Sequence, residues 1–260
     1  MQGTKAAALD DWAREHGRAC LRFDYSGHGE SGGKFEDGTI GRWLEESLAV
    51  YRHYCRGPQV LVGSSMGGWI ALLLAARLRE SKGAAPPNTS LAGMVLIAPA
   101  VDFTEELMWK QFSDEIKREI EVKGAWMRPS EYSDEGYPIT RALIEDGRRW
   151  SMLRGPVEIT APVRILQGGA DPDVPWRHAL DLALALEAED LVFTLVRDGD
   201  RWLVATSTWG DFAGSRRTAS VGVTLAESAD DLLTGRHVLD TRPLALPTEG
   251  FRSVGTCDPH

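Results

Sequence analysis

The sequence predicts an α/β fold in which helices cover a mostly parallel β-sheet. Apolar segments of strand length alternate with segments of helical periodicity through residues 4–99. The segments 60–62 and 91–99 are continuously apolar, as in parallel strands that are buried on both faces. The first of them leads through a Gly-x-Ser-x-Gly turn directly into a helical pattern. These three observations together favour a parallel sheet with crossover helices.

The predicted elements follow in order along the chain. Helices are expected at 4–16, at 40–54, from the Gly-x-Ser-x-Gly turn to about Glu80, and at 174–188. Strands are expected at 18–25, 59–62, 91–99, 162–166 and 190–196. The charged and aromatic stretch 102–159 interrupts the alternation and predicts inserted helices at 104–112, 114–123 and 139–150. This insertion is either a set of peripheral helices or a cap that lines an apolar substrate pocket above Ser65, and we favour the cap.

Composition narrows the class of protein. The 260 residues are enough for one domain with a sizeable core. A formal charge of −9 argues against nucleic acid as a partner. The three cysteines have no spacing typical of a zinc site or a disulfide framework, so we expect a reducing compartment and a cytoplasmic location. No apolar run is long enough to predict a membrane span, and we expect no secretory signal.

The Gly-x-Ser-x-Gly motif at 63–67 predicts a nucleophile elbow. Ser65 would occupy a sharp turn that holds its hydroxyl clear of the sheet, and Gly63 and Gly67 would let strand and helix approach closely. The backbone N–H of Met66, at the start of the helix, would donate a hydrogen bond to an oxyanion. The alternative is an ordinary strand-to-helix turn, but the strand before the motif and the helix after it favour the elbow.

Four segments together resemble the α/β-hydrolase family: RFDYSGHGESGG at 22–33, LVGSSMGGW at 61–69, ILQGGADPDVPW at 165–176, and the strand and turn at 191–200. The resemblance covers roughly residues 3–200. In detail, EVKGAWMRPSEYSDEG and DPDVPW are similar to the branch of palmitoyl-protein thioesterases and acyl-glucuronide esterases. The implied fold is an α/β-hydrolase core at 1–200 with a helical cap at 102–159, followed by an atypical tail at 201–260 that is disordered or frame-shifted.

The resemblance implies a catalytic serine and its acid. It places the nucleophile at Ser65 and the acid at Asp171, in the loop after a late strand. Asp173 competes for the acid's role, but we interpret it as the N-cap of the helix that Pro175 opens. His28 lies in a loop that neighbours the elbow in this family, and we expect it to be structural.

The general base of the triad has no clear candidate. In the family, a histidine follows the last strand, directly after a triplet that resembles Asp198-Gly199-Asp200. Here Arg201 occupies that position, and arginine stays protonated, so it cannot accept a proton from serine. His237 is a conceivable replacement, whereas His178 is expected at the surface.

Both ends of the chain depart from the resemblance. Residues 201–260 contain no Lys, Asn, Gln, Ile, Met or Tyr, which suggests a shifted reading frame, with a genuine extension as the alternative. Only 224–233 looks helical there. The family has three strands before its first helix, and these strands and the second oxyanion donor are expected to be missing, so the fold is expected to be incomplete at both ends. A lost targeting segment would make a mitochondrial location the alternative.

The expected function follows from the resemblance. The chain would be a serine hydrolase of the carboxylesterase or acyl-thioesterase kind that forms an acyl-enzyme on Ser65. Its substrate would be a small-molecule ester or acyl-thioester, with no cofactor and no metal. Its activity is expected to be impaired because the base is missing. The alternative is a non-catalytic hydrolase-like protein or a truncated gene product, while a haloperoxidase-like or acyltransferase activity is a more distant third.

Overall fold

The computed structural model describes residues 3–80, 85–129, 136–197, 201–209, 219–226 and 238–239. Its helices are α1 (Thr4–Glu15), α2 (Ile40–Tyr54), α3 (Met66–Glu80), α4 (Asp114–Lys123), α5 (Arg141–Arg149) and α6 (Trp176–Ala185). Its strands are β1 (Gly57–Ser64), β2 (Thr89–Ile97), β3 (Ala125–Arg128), β4 (Tyr137–Thr140), β5 (Val157–Glu158), β6 (Val163–Gly168), β7 (Leu186–Glu187), β8 (Asp190–Arg197), β9 (Arg201–Trp209), β10 (Ala219–Ala226) and β11 (Val238–Leu239).

The central sheet has the strand order β1-β2-β6-β8-β9-β10-β11. The first four strands pair in parallel, whereas β9, β10 and β11 extend the sheet with antiparallel pairs. The predicted parallel sheet with crossover helices is therefore confirmed. Because parallel strands point the same way, the loops that follow β1, β2, β6 and β8 all lie at one edge of the sheet.

The hydrophobic core lies between the parallel strands and the helices α2, α3 and α6. Its largest fully buried side chains include Trp43, Trp69, Leu72, Leu96 and Ile165. Helix α3 is apolar nearly all round and is buried from Gly68 to Ala75, as expected for a helix in the middle of a fold. This packing fixes the start of α3, and with it the turn at Ser65, against the sheet.

Local signals set the ends of two helices. The Thr39 side chain accepts a hydrogen bond from the Arg42 N–H and caps α2. Ser113 caps α4 in the same way through the Ile116 N–H. At the other end of α4, Gly124 adopts φ +86°, which ends the helix at little steric cost because glycine has no Cβ.

The predicted strand at 18–25 is wrong. The described chain has no regular strand there, although its residues lead into the loop that contains His28. A strand needs a hydrogen-bonded neighbour, and the sheet order ends at β1, whose described neighbour is β2 alone.

The insertion at 102–159 is less helical than its sequence predicts. It contains a π-helical turn at Thr104–Met108, a 3₁₀ turn at Trp109–Gln111, and the helices α4 and α5. The antiparallel strands β3 and β4 lie between these helices. Residues 139–140 therefore belong to β4 and not to the predicted helix, which begins at Arg141.

The tail contains regular backbone that the sequence did not predict. Strand β10 pairs over its whole length with residues 202–209 of β9, so residues 224–226 are strand where a helix was expected. Residues 227–233, the remainder of that predicted helix, lie outside the described residues, as do most of the positions on which the prediction of disorder falls. Among the described helices, none is long and apolar enough to cross a membrane.

Candidate active site

The parallel strands bring the predicted catalytic residues to one edge of the sheet. Ser65 follows β1, Asp171 lies three residues after β6, and Arg201 begins β9 across the turn from β8. Neighbouring strands lie about 4.8 Å apart, so β1 and β6, with β2 between them, are separated by roughly 10 Å. A base that contacts both Ser65 and Asp171 must therefore lie over the end of β2, between the loops that follow β1 and β6.

Ser65 has the backbone geometry of a nucleophile elbow. Its φ is +53°, a left-handed conformation that residues with a side chain rarely adopt. Three hydrogen bonds hold it there: its N–H donates to the Ile97 carbonyl at 2.9 Å, and its own carbonyl accepts from Gly68 N at 2.9 Å and Ala100 N at 3.1 Å. The residue is exposed.

Two glycines allow strand and helix to meet at this turn. A Cβ at Gly63 would collide with the Gly67 carbonyl oxygen and would lie 2.7 Å from the Cα of Gly68. A Cβ at Gly68 would lie 2.9 Å from the Pro99 side chain. A Cβ at Gly67 would meet no atom within 4 Å. The tight contacts therefore require glycine at positions 63 and 68, and the predicted steric role of Gly67 is wrong.

The Met66 N–H lies at the first turn of α3, where no residue of the helix can accept its hydrogen bond. No other described residue accepts from it either. On the strand side of the turn, the Lys5 ammonium donates to the Ser64 hydroxyl at 3.3 Å. The start of α3 and this ammonium both favour negative charge near Ser65.

The loop after β6 is organised by Asp171. One carboxylate oxygen, Oδ1, accepts hydrogen bonds from Asp173 N at 3.0 Å and Val174 N at 2.8 Å. The helix α6 begins at Trp176 with Pro175 as its N-cap and without a capping side chain, so our interpretation of Asp173 as the N-cap is wrong. Asp173 is exposed, whereas Asp171 is half-buried.

Two of the histidines considered in the sequence have structural environments. His28 packs against Trp43, Phe35 and Tyr25, and its Nδ1 lies 3.2 Å from the Ser26 carbonyl, which agrees with a structural role. Burial raises the pKa of the neighbouring Tyr25 phenol above its ordinary value. His178 is buried, not at the surface as predicted: its Nε2 donates to the Val101 carbonyl at 2.7 Å and joins α6 to the loop after β2.

The general base remains unassigned. Within the described part of the chain, no histidine is hydrogen-bonded to Ser65 or Asp171. Arg201 pairs with Arg197 at the hairpin between β8 and β9, at the position where the resemblance implies a histidine. His237 lies outside the described residues.

Apolar side chains connect the insertion to the acid loop. Ala98, Ala100 and Val174 form a small buried cluster, against which Phe103 and Leu107 of the insertion pack. The aromatic rings Trp109, Phe112, Trp126 and Tyr137 instead pack around a separate core of the insertion. Two surface clefts of about 480 and 630 Å³ lie elsewhere, and neither contains Ser65 or Asp171.

Sequence reasoning missed two buried polar residues near the site. Asp102 accepts hydrogen bonds from Ser151 Oγ, Met152 N and Leu153 N, and thereby joins the two ends of the insertion. Gln167, at the end of β6, donates to the Val174 carbonyl. A polar side chain at the end of an apolar strand is the signal that could have identified Gln167.

This combination of sheet, elbow and acid loop defines a class, and the chain belongs to the α/β-hydrolase family: the alpha/beta hydrolase family matches residues 6–213. Among individual relatives, the human protein named palmitoyl-protein thioesterase ABHD10, mitochondrial, is 37% identical over 201 residues, or 77% of this chain and 62% of its own length. The chain thus spans less than two thirds of this curated relative.

Comparison with solved structures supports the same family. An Agrobacterium vitis S4 protein named as a hydrolase is 52% identical, with a TM-score of 0.73 over 76% of this chain and 75% of its own. The mouse alpha/beta hydrolase domain-containing protein 10 is 36% identical, with a TM-score of 0.65 over 76% of each chain. The resemblance of the sequence to this family and branch is therefore confirmed.

Proposed function

We propose that the chain is a serine hydrolase that cleaves small-molecule carboxylic esters or acyl-thioesters through an acyl-enzyme on Ser65. The observation that carries the proposal is the left-handed backbone of an exposed Ser65, followed directly by the start of α3. The family supports hydrolysis, and relatives named as thioesterases support an acyl-thioester. No metal or cofactor enters the proposed reaction.

The proposed reaction follows from the geometry of the turn. Ser65 Oγ attacks the acyl carbonyl carbon, and the carbonyl oxygen becomes an oxyanion that accepts a hydrogen bond from the Met66 N–H. The C–O or C–S bond of the substrate then breaks, and the leaving alcohol or thiol takes up the proton that Ser65 lost. Water attacks the acyl-enzyme, the bond between the acyl carbon and Ser65 Oγ breaks, and Oγ regains a proton from that water as the carboxylic acid is released. Asp171 acts as the triad acid that would orient the base.

We propose that the rate is low because no described residue serves as the base, which leaves His237, outside the described residues, as the replacement that Asp171 would orient. A serine hydroxyl is a weak nucleophile until a neighbouring group accepts its proton. Arginine at position 201 cannot do so because its guanidinium stays protonated. The oxygen of Asp171 that makes described hydrogen bonds receives them from backbone N–H groups and not from an imidazole.

The same observation favours a second candidate, a hydrolase-like protein without catalysis. A fluorophosphonate probe separates the two because it reacts with an activated serine. We expect slow labelling that disappears in Ser65→Ala and weakens in Asp171→Asn. If a folded chain shows no Ser65-dependent labelling, the non-catalytic candidate stands and the hydrolase proposal fails.

For the location of the protein, we propose the mitochondrion. The cytoplasmic expectation finds no support among the relatives, and the curated relatives carry the word mitochondrial in their names. Fractionation of cells that express the intact gene tests this directly. Recovery of the protein outside the mitochondrial fraction would contradict it.

A further inference from the structure

Gln167 is a fully buried amide at the end of an otherwise apolar strand face. Its same-face neighbours along β6, Val163 and Ile165, are completely buried aliphatic residues. The Gln167 Nε2 donates to the Gly168 carbonyl at 3.0 Å and to the Val174 carbonyl at 2.8 Å. Its Oε1 is buried and has no hydrogen-bond partner among the described residues.

These hydrogen bonds close the loop that contains Asp171. Gln167 lies before the loop and Val174 lies at its far end. The Val174 carbonyl accepts from the Gln167 amide, and the Val174 N–H donates to Asp171 Oδ1 at 2.8 Å. Val174 is also held by its side chain, which is buried with Ala98 and Ala100. A buried amide therefore fixes the residue that in turn holds the Asp171 carboxylate.

Among the described residues, only one carboxylate oxygen of Asp171 accepts hydrogen bonds. Asp171 Oδ1 accepts both backbone hydrogen bonds, from Asp173 and Val174. Within the described residues, Oδ2 accepts none. A triad acid needs one free oxygen to accept a ring N–H from its base, while its other bonds hold the carboxylate still.

We propose that Gln167 is a positioning residue for the reaction: it closes the loop at 168–174 and so fixes the orientation of the Asp171 carboxylate. The inference rests on the proposed function, in which Asp171 is the acid. A buried oxygen without a hydrogen-bond partner is unfavourable, and an aliphatic residue would fill the same space without one. Among the described residues, the Gln167 amide makes its hydrogen bonds through Nε2 alone, and both of them go to the ends of the loop.

Two variants separate positioning from simple packing. Gln167→Met keeps the approximate volume and removes both donated hydrogen bonds. Gln167→Glu keeps the shape, but its carboxyl group can donate to a carbonyl only when it is protonated. The readout is the rate constant for labelling of Ser65 by a fluorophosphonate, measured as a function of pH.

We expect Gln167→Met to lower the labelling rate about tenfold at every pH. Gln167→Glu should add a titration that the unsubstituted chain lacks: burial beside two carbonyl oxygens favours the neutral acid, so labelling should persist at low pH and fall as pH rises. Gln59→Met is the matched control, because the Gln59 amide also donates to backbone carbonyls but lies near the start of β1, at the end away from Ser65. It should leave the rate and its pH profile unchanged.

Labelling of Gln167→Met at the unsubstituted rate, with no new titration in Gln167→Glu, would overturn the positioning role and leave the proposed function intact.

If the unsubstituted chain is itself not labelled, the proposed function fails, and hydrogen exchange of the Val174 amide decides the positioning role. Exchange at least about tenfold faster in Gln167→Met, and unchanged in Gln59→Met, supports loop closure by Gln167. Unchanged exchange in both variants overturns it.

Discussion

Ser65 occupies a conformation that costs a residue with a side chain on the order of 1–2 kcal/mol. The structure offsets this cost with hydrogen bonds to Ile97 and Ala100, at the end of β2 and just after it, and with one from Gly68 in the first turn of α3. The turn also brings the end of β1 against the first turn of α3, and that contact depends on the missing side chain at Gly63. The geometry of the turn therefore depends on Gly63 as much as on the serine itself.

The substitution Gly63→Ala should destabilise the chain by about 1–3 kcal/mol, the range typical of overpacking. The added Cβ would collide with the Gly67 carbonyl and lie 2.6 Å from its carbon, and these backbone atoms cannot rotate away. Urea denaturation measures the loss as a lower midpoint at an unchanged slope.

Gly67→Ala is the matched control for this substitution. It adds the same methyl group four residues later, where no atom lies within 4 Å, and alanine is favoured over glycine inside a helix by up to about 1 kcal/mol. We expect its midpoint to stay the same or rise. Equal midpoints for the two variants would contradict a close contact between β1 and α3 at Gly63.

At the scale of elements, local signals made the helices predictable. Helix α2 has the predicted bounds because its apolar periodicity and its Thr39 cap are both encoded within a few residues. The strands β3 and β4 were missed because each is short and forms only by pairing with the other across an intervening loop. The segment 18–25 has strand-like composition, but composition does not show which neighbour will complete a sheet.

The candidate site was predictable to the same extent. Ser65 could be proposed because it lies in a motif with its own strand and turn, and Asp171 because the family resemblance places an acid in the loop after a late strand. The burial of His178 and the steric role of Gly68 depend on Val101 and Pro99, which are distant in sequence, so no local pattern reports them. The roles of Asp102 and Gln167 also come from contacts that appear only when the loops meet.

Asp102 holds the two ends of the insertion together. It is 2% exposed and its φ is +55°. Its carboxylate accepts from Ser151 Oγ at 2.7 Å, from Met152 N at 2.9 Å and from Leu153 N at 2.9 Å. We expect Asp102→Ala to lower the free energy of unfolding by about 3–5 kcal/mol, because it leaves several buried donors without an acceptor. Thermal and urea unfolding measure the loss.

Two comparisons make this test specific. Asp102→Asn keeps one acceptor oxygen and a residue that tolerates positive φ, so it should lose less stability than Asp102→Ala. Asp114→Ala removes an exposed carboxylate from the first turn of α4 and should cost less than about 1 kcal/mol. If exchange of the Met152 and Leu153 amides is unchanged in Asp102→Ala, the carboxylate does not hold the insertion.

At the scale of the whole molecule, the two faces of the parallel sheet differ in burial. On the face that α2, α3 and α6 cover, Met94, Ile165 and Phe193 are buried. On the opposite face, Val60 is 58% exposed and Val62 is 41% exposed. Further along that face, Val95, Ile97 and Leu166 are only half-buried. Contiguous exposed apolar surface of this kind promotes association and dye binding.

We therefore expect the chain to bind a hydrophobic dye such as ANS and to associate as its concentration rises. The double substitution Val60→Thr/Val62→Thr should weaken both effects, because it places hydroxyl groups on the exposed face and keeps β-branched residues in the strand. Its cost in stability should stay within about 1 kcal/mol, since these side chains lose little burial. Dye fluorescence, light scattering and urea unfolding measure the three quantities.

The same chemical change on the covered face provides the contrast. Ile165 is completely buried, so Ile165→Thr removes apolar volume and buries a hydroxyl group, and it should cost about 2–4 kcal/mol. Dye binding should not fall in this variant, because the exposed valines remain. The double substitution at Val60 and Val62 could instead be as destabilising as Ile165→Thr and leave dye binding unchanged. Both faces of the sheet would then be covered in solution, and the inferred difference in burial between them would be wrong.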